Sequence, residues 1–219
     1  PHSYFGVEAI TALTERGVIS GYSDGTFQPT RALNRAEALK IILAPLYNEE
    51  ERVSAGRRAP VHTDVPQESW YTPYVTIGVE SGVIDGPPAK YAFHGADTVR
   101  KAEFIKMALE AHGIHAQSLA ADVLSPLSAD VSTTSTWYYP YMRAAFATSL
   151  TSVSAQGTLN PGTELTRGEA VTLLYRLLEY KQLHRTQVLL DTAEQDLLRV
   201  LQALQGSRAD EASYAAVRA

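Results

Sequence analysis

The sequence predicts a mainly α-helical fold made of three helix-loop-helix repeats that share one core, followed by a long C-terminal helix. Three observations carry this expectation. The chain aligns on itself without gaps, placing Phe5 on Trp137, Gly25-Thr26 on Gly157-Thr158, Pro29 on Pro161, Leu33 on Leu165, Arg35 on Arg167 and Glu37 on Glu169. A middle copy lies between them. WYTPYVTIGVESGVIDG at 70–86 parallels FGVEAITALTERGVISG at 5–21, and after one extra residue Phe93, Val99, Lys101 and Glu103 fall on Phe27, Leu33, Arg35 and Glu37. Within each copy the apolar residues keep helical spacing, and two short helices cannot bury an apolar face alone, so the repeats must pack around a shared centre.

In the first repeat Phe5, Ala9, Ile10 and Leu13 form the helical stripe, Gly17 ends it, and Val18-Ile19 lead into the GYSDGTF turn, where Asp24-Gly25 supply the reversal. A second helix carries Ala36, Leu39, Ile42, Leu43 and Leu46, with Pro45 tolerated only near its end. The same scheme predicts helices near 70–81 and 100–112, then near 137–148 and from 167 onward. Segments 48–61 and 113–128 have the composition of exposed connectors, and each leads into an Asp-Val pair, Asp64-Val65 and Asp130-Val131. That lead-in is missing ahead of the first repeat, which is therefore expected to be truncated at its start. The repeats are bounded as 1–47, 62–114 and 128–180.

Beyond Glu169 the helical pattern continues to Gly206, a C-terminal stop. The segment 181–206 carries a short heptad-like stripe of Leu190, Leu197 and Leu204 with Ala193 and Val200. It either packs back on the repeats or mediates self-association. The tail at 207–219 is polar, alanine-rich and expected to fray.

Composition narrows the function classes. At 219 residues the chain could hold one domain or two, and the repeats favour one composite unit. Hydrophobic content of 45% with 20% charged residues fits an ordinary globular protein. A formal charge of −5 argues against broad adsorption to nucleic acid or anionic membrane, so any anion must be met in a local pocket. The absence of cysteine excludes disulfides, thiol catalysis and cysteine-ligated zinc. No apolar run approaches the roughly 18 residues of a spanning helix. A start at Pro1 without a signal peptide fits a mature or a trimmed chain alike.

At the second-helix starts, Asn34 with Glu37 and Thr166 with Glu169 spell capping boxes, in which a small polar side chain caps the helix and a glutamate reaches back. Glu103 is their counterpart, but Arg100 stands at its cap position and leaves that box incomplete. The adjoining cations Arg35, Lys101 and Arg167 work against the helix macrodipole at every copy. Each could pair with a nearby carboxylate as scaffold. The preferred reading is a bound anion lying between the cation and the free N–H groups of the helix. Trp70 and Trp137 are read first as core anchors, with a partly exposed face able to stack on a sugar ring. His112 and His115 are read as solvated, and Asp24-Gly25 offers too few oxygens for calcium. No metal or cofactor is expected. No catalytic motif is present, and a repeated, weakly charged loop suggests repeated binding more than one asymmetric active site.

These residues resemble the S-layer homology family, the triplicate module that attaches bacterial surface proteins to the cell wall. The first repeat carries Phe5, GVISG, GYSDGTFQP and NRAE; the second Trp70, GVIDG, a diverged PPAKYAFHG and RKAE; the third Trp137, QGTLNPG and TRGE. The resemblance covers residues 1 to about 180. It implies pseudo-threefold symmetry, ligand grooves between repeats and a place at the bacterial cell surface, without nucleic-acid binding or membrane insertion. It also implies a ligand, an anionic secondary cell-wall polysaccharide with a pyruvate ketal. The ketal's carboxylate would meet the cation at Arg35, Lys101 or Arg167, while Trp70, Trp137, Gly21, Tyr22 and Gly25 hold the sugar. Two departures are expected to silence one or two grooves: Lys101 is a point charge where arginine is a bidentate fork, and SLTSV replaces GVISG in the third repeat. The alternatives are a structural scaffold that oligomerises through its terminal helix, a wall-glycan hydrolase, and an anchor to modified peptidoglycan.

Overall fold

The computed structural model describes residues 6–85, 92–116, 127–132 and 135–183. They form α1 (Val7–Glu15), α2 (Arg35–Leu43), α3 (Glu49–Gly56), α4 (Thr72–Glu80), α5 (Lys101–Ala111), α6 (Tyr139–Ala147) and α7 (167–183). The expected pairs are therefore α1 with α2, α4 with α5 and α6 with α7, and no strand is formed among the described residues. Phe5 and the stripe at 190–204 lie outside those residues. The chain divides into two units at Leu177, and of the second only the end of α7 is described.

Local chemistry sets the helix ends. α4 and α6 start just after the tryptophans because Pro73 and Pro140 occupy their first turns, where a missing N–H costs nothing. α1, α4 and α6 stop at left-handed residues, Gly17 (φ 67°), Gly82 (φ 73°) and Ser149 (φ 58°). The third is a serine where glycine is the unstrained choice.

The connector reading of 48–61 is corrected. Asn48 and Glu51 form a reciprocal capping box that starts α3, with N–H to carboxylate and N–H to amide distances of 2.7 and 2.9 Å. Ala55 is fully buried, and Gly56 lies so close to α4 that a Cβ there would sit 3.0 Å from Pro73 Cγ. The apolar pattern of EEERVSAG is too sparse to announce a helix, whereas the cap pair Asn48 and Glu51 does announce one.

The repeats close on one another at the centre through their main chains. Leu33 N–H donates to Leu165 O (2.9 Å), Leu165 N–H to Val99 O (3.0 Å) and Val99 N–H to Leu33 O (2.9 Å). All three residues are buried, as are the equivalent Leu39, Ile105 and Val171, then Ile42, Ala108 and Leu174, on α2, α5 and α7. α2 packs on α4 and α5, and α5 packs on α6.

The same cyclic order caps the second helices. The first N–H groups of α2 donate to Asp97 O and Gly95 O (2.9 and 3.0 Å), those of α5 to Thr163 O and Pro161 O (2.8 and 2.9 Å), and those of α7 to Arg31 O and Pro29 O (2.9 Å each). Each loop thus lends its carbonyls to the preceding repeat's helix. The Asp-Val pairs brace these loops. Asp64 accepts from Phe93 and His94 N–H (2.6 and 2.8 Å), and Asp130 accepts from Leu159 and Asn160 N–H (2.8 and 2.7 Å). The bonds hold His94 and Asn160 at φ 56° and 53°, conformations that side chains resist. Burial works to raise both carboxyls, but these N–H donors outweigh it and hold them below the ordinary aspartate range.

Candidate functional site

Among the described residues cyclic closure produces three equivalent grooves, and in each the parts come from successive repeats. Groove A takes the cation Arg167, the turn 17–22, Glu37 and Lys40 from α2, and Trp70, around about 720 Å³. Groove B takes Arg35, Val83 to Asp85, Glu103 and Lys106 from α5, and Trp137, around about 260 Å³. Groove C takes Lys101, Leu150 to Ser152, and Glu169 and Thr172 from α7, around about 420 Å³. Its aromatic position, Phe5, lies outside the described residues.

The expected free N–H groups are not there. The first two donors of each cation-bearing helix are taken by loop carbonyls, and in α2 and α7 the third is taken by the cap, Glu37 N–H to Asn34 Oδ1 (2.8 Å) and Glu169 N–H to Thr166 Oγ1 (3.3 Å). Glu37 and Glu169 reach back to the Asn34 and Thr166 N–H groups (3.2 and 2.8 Å), and Glu103 reaches back to Arg100 N–H (2.9 Å). Arg100 has no acceptor to return that bond. Any anion held here must rely on side chains.

The cations leave the helix start and land on the next repeat. Arg167 is 9% exposed, and its Nη2 donates to Ser20 O (2.7 Å). Its guanidinium carbon sits 5.0 Å from the Tyr22 ring centre and 4.6 Å from that of Phe27. Its Nε is buried and has no hydrogen-bond partner among the described residues. Arg35 lies 5.3 Å from the Phe93 ring centre, donates from Nε to Phe93 O (3.1 Å), and approaches Glu103 at 3.4 Å. Lys101 donates to Leu159 O (2.7 Å). Leu159 stands where the other repeats have Phe27 and Phe93, so the lysine has no ring to lie on. Burial pushes its ammonium below the usual lysine range.

Trp70 and Trp137 are not core anchors. They are 53% and 55% exposed, because the outer face of the first helix meets solvent above a groove assembled by the two other repeats. Lys40 Nζ lies 5.5 Å from the Trp70 ring centre, while Lys106 Nζ lies 3.6 Å from Asp85. These lysines are missing from the sequence-derived site, although they recur in register and would have been found by the same self-alignment; Thr172 takes the place in the third repeat. Gly21 and Tyr22 line groove A, and a Cβ on Gly21 would meet Thr26 O at 2.9 Å. The Tyr22 hydroxyl accepts from Arg31, which also pairs with Glu37 at 2.6 Å. Gly25 lies off the groove as the turn residue (φ 78°), beside Asp24, which accepts from Thr26 N–H (2.9 Å).

Groove B also contains a residue with no counterpart among the described residues that line groove A. His62 is buried, and its Nε2 lies 3.2 Å from Asp85 O. A carbonyl only accepts, so that nitrogen carries the proton, and Nδ1 is buried without a partner among the described residues. His112 is 7% exposed, which corrects its solvated reading, while His115 is exposed. Among the described residues no three His, Asp or Glu side chains cluster as metal ligands, and no helix is long and apolar enough to cross a membrane.

The S-layer homology domain matches the chain over residues 1–39, 63–105 and 129–171, in register with the three repeats. Among curated proteins, the Surface-layer 125 kDa protein of Lysinibacillus sphaericus is 26% identical over 180 residues, 81% of this chain and 14% of that protein. Cell surface glycoprotein 1 of Acetivibrio thermocellus is 26% identical over 170 residues, 75% of this chain and 7% of that protein. An amylopullulanase of Thermoanaerobacterium thermosulfurigenes is 24% identical over 172 residues, 78% of this chain and 9% of that protein. The chain therefore spans a small part of the length of the relatives it matches.

Proposed function

We propose, for a chain that belongs to the S-layer homology family, a non-catalytic role in anchoring at the bacterial cell surface, exerted by binding an anionic cell-wall glycan in grooves A and B. The observation that carries this reading is Arg167. It is an arginine nine-tenths buried, with its Nε unpartnered among the described residues, in a groove that it shares with an exposed tryptophan and an exposed lysine. A carboxylate there gains charge-assisted hydrogen bonds from Arg167 and Lys40, and a sugar ring covers the face of Trp70. Groove B offers the equivalent residues Arg35, Lys106 and Trp137, with Arg35 near Glu103 and Lys106 near Asp85. A pyruvate ketal on a sugar ring satisfies both requirements, a carboxylate held rigidly on a ring.

Surface-layer and cell-surface names among the relatives support an anchoring part, and the amylopullulanase match covers too little of that enzyme to bring its activity along. The test is sedimentation with purified cell walls before and after mild acid removal of ketals, using the wild type, Arg167→Ala and Lys40→Ala. Lys40 is exposed and its contact is with the exposed Trp70 ring, so its variant leaves the core packing intact. Binding lost on acid treatment and weakened in both variants supports the reading. Equal binding to treated walls sinks it and favours peptidoglycan.

A further inference from the structure

We infer that α3 turns groove A into an extended site for a second, acidic sugar of the glycan, and that Arg52 selects for that sugar. This rests on the reading of groove A above. Glu49, Arg52, Val53 and Gly56 all line the groove, and their spacing puts them on one face of the helix. The opposite side of α3, with Glu50, Glu51 and Ser54, turns toward Ile77 and Glu80 of α4. Among the described residues groove B has no comparable helical wall.

The wall is rigid. Its capping box, the buried Ala55, the Gly56 contact with Pro73 and the two bonds from Gln67 Nε2 to Gly56 O and Arg58 O (2.9 Å each) fix α3 beside Trp70. A ligand meeting it spends little on ordering. Arg52 makes a single hydrogen bond, from Nη1 to Ala44 O (3.2 Å), and no ion pair among the described residues. The rest of its fork is available to a carboxylate. Val53, 46% exposed, and Trp70, 53% exposed, leave apolar surface in the same groove that the faces of a sugar ring would cover. Arg52 and Arg167 line one cavity, which suits two carboxylates on adjacent sugars better than one.

The experiment is calorimetric titration with two probes: a pyruvate-ketal hexose methyl glycoside, and a disaccharide that carries this unit linked to a uronic acid. The expected result is at least tenfold tighter binding of the disaccharide by the wild type. In Arg52→Ala the two probes should come within about twofold, with monosaccharide affinity unchanged, which also certifies an intact groove. Equal affinities in the wild type, or a gain that survives Arg52→Ala, overturn the extended site and leave the carboxylate reading standing. A loss for both probes in Arg52→Ala assigns Arg52 to the first carboxylate and overturns it equally. Binding of neither probe by the wild type removes both readings.

Discussion

Grooves A and C are built from equivalent positions of different repeats, yet they present different chemistry. In A an arginine lies between Tyr22 and Phe27, and a lysine stands near an exposed tryptophan. In C the arginine has become Lys101, the ring under it Leu159, the lysine Thr172, and the glycine ending the first helix Ser149. The replacements form a set: a stacked arginine needs a flat partner, and a lysine bonded to a carbonyl does not. Arg176 adds charge to C, but it donates to Leu150 O (3.1 Å). The main-chain ring is nevertheless equally well formed at all three junctions. Backbone bonds hold the fold, so side chains in one groove can diverge without cost to the others.

The comparison breaks first at the cations. Arg167→Ala should weaken binding of a pyruvylated probe by about 2 kcal/mol or more, roughly thirtyfold, as when one partner of a buried charge pair is removed. Lys101→Ala should change it less than threefold. Equal losses by calorimetry would mean that C binds as A does.

A second effect concerns stability. Asp130→Ala frees the Leu159 and Asn160 N–H groups beneath groove C and should cost about 2–3 kcal/mol in urea unfolding while groove A affinity holds. Because the native carboxyl is depressed, its contribution is complete above about pH 4 and is lost as pH falls through the lower native value. The variant should therefore show a flatter decline in stability from pH 5 to pH 3 than the wild type. Trp70→Ala follows, with about 1 kcal/mol of affinity lost and folding unchanged.

The smallest effect is conformational. Gly17→Ser should cost about 1 kcal/mol and Ser149→Gly should gain about 0.5 kcal/mol, read as urea midpoints at constant slope. A Cβ on Gly17 meets nothing within 4 Å, so the left-handed φ is the whole cost.

The sequence made the repeat, the helix pairs and the caps at Asn34 and Thr166 readable because each is signalled within a few residues. It concealed whatever depends on closure. The donors at the start of α2 look free until residues 95 and 97 fold onto them, and Trp70 looks like core until α2 and the first repeat's turn build a groove beneath it. The recurring cation was legible as an anomaly, but its landing place on the next repeat's aromatic was not. α3 was missed because its evidence is polar, the pair Asn48 and Glu51, in a stretch with few apolar residues.

The cycle of bonds joining Leu33, Leu165 and Val99 has one more consequence. An open array of repeats has ends, and it frays from them one unit at a time. A closed cycle has no first bond to lose: releasing any one of the three amides requires the other two junctions to shift as well. Their hydrogen-exchange rates should therefore converge on a single value, that of global opening, and move together under denaturant. For the proposed anchor this makes letting go of its own fold an all-or-none event, so a transient loss of one repeat would not become a partial loss of grip.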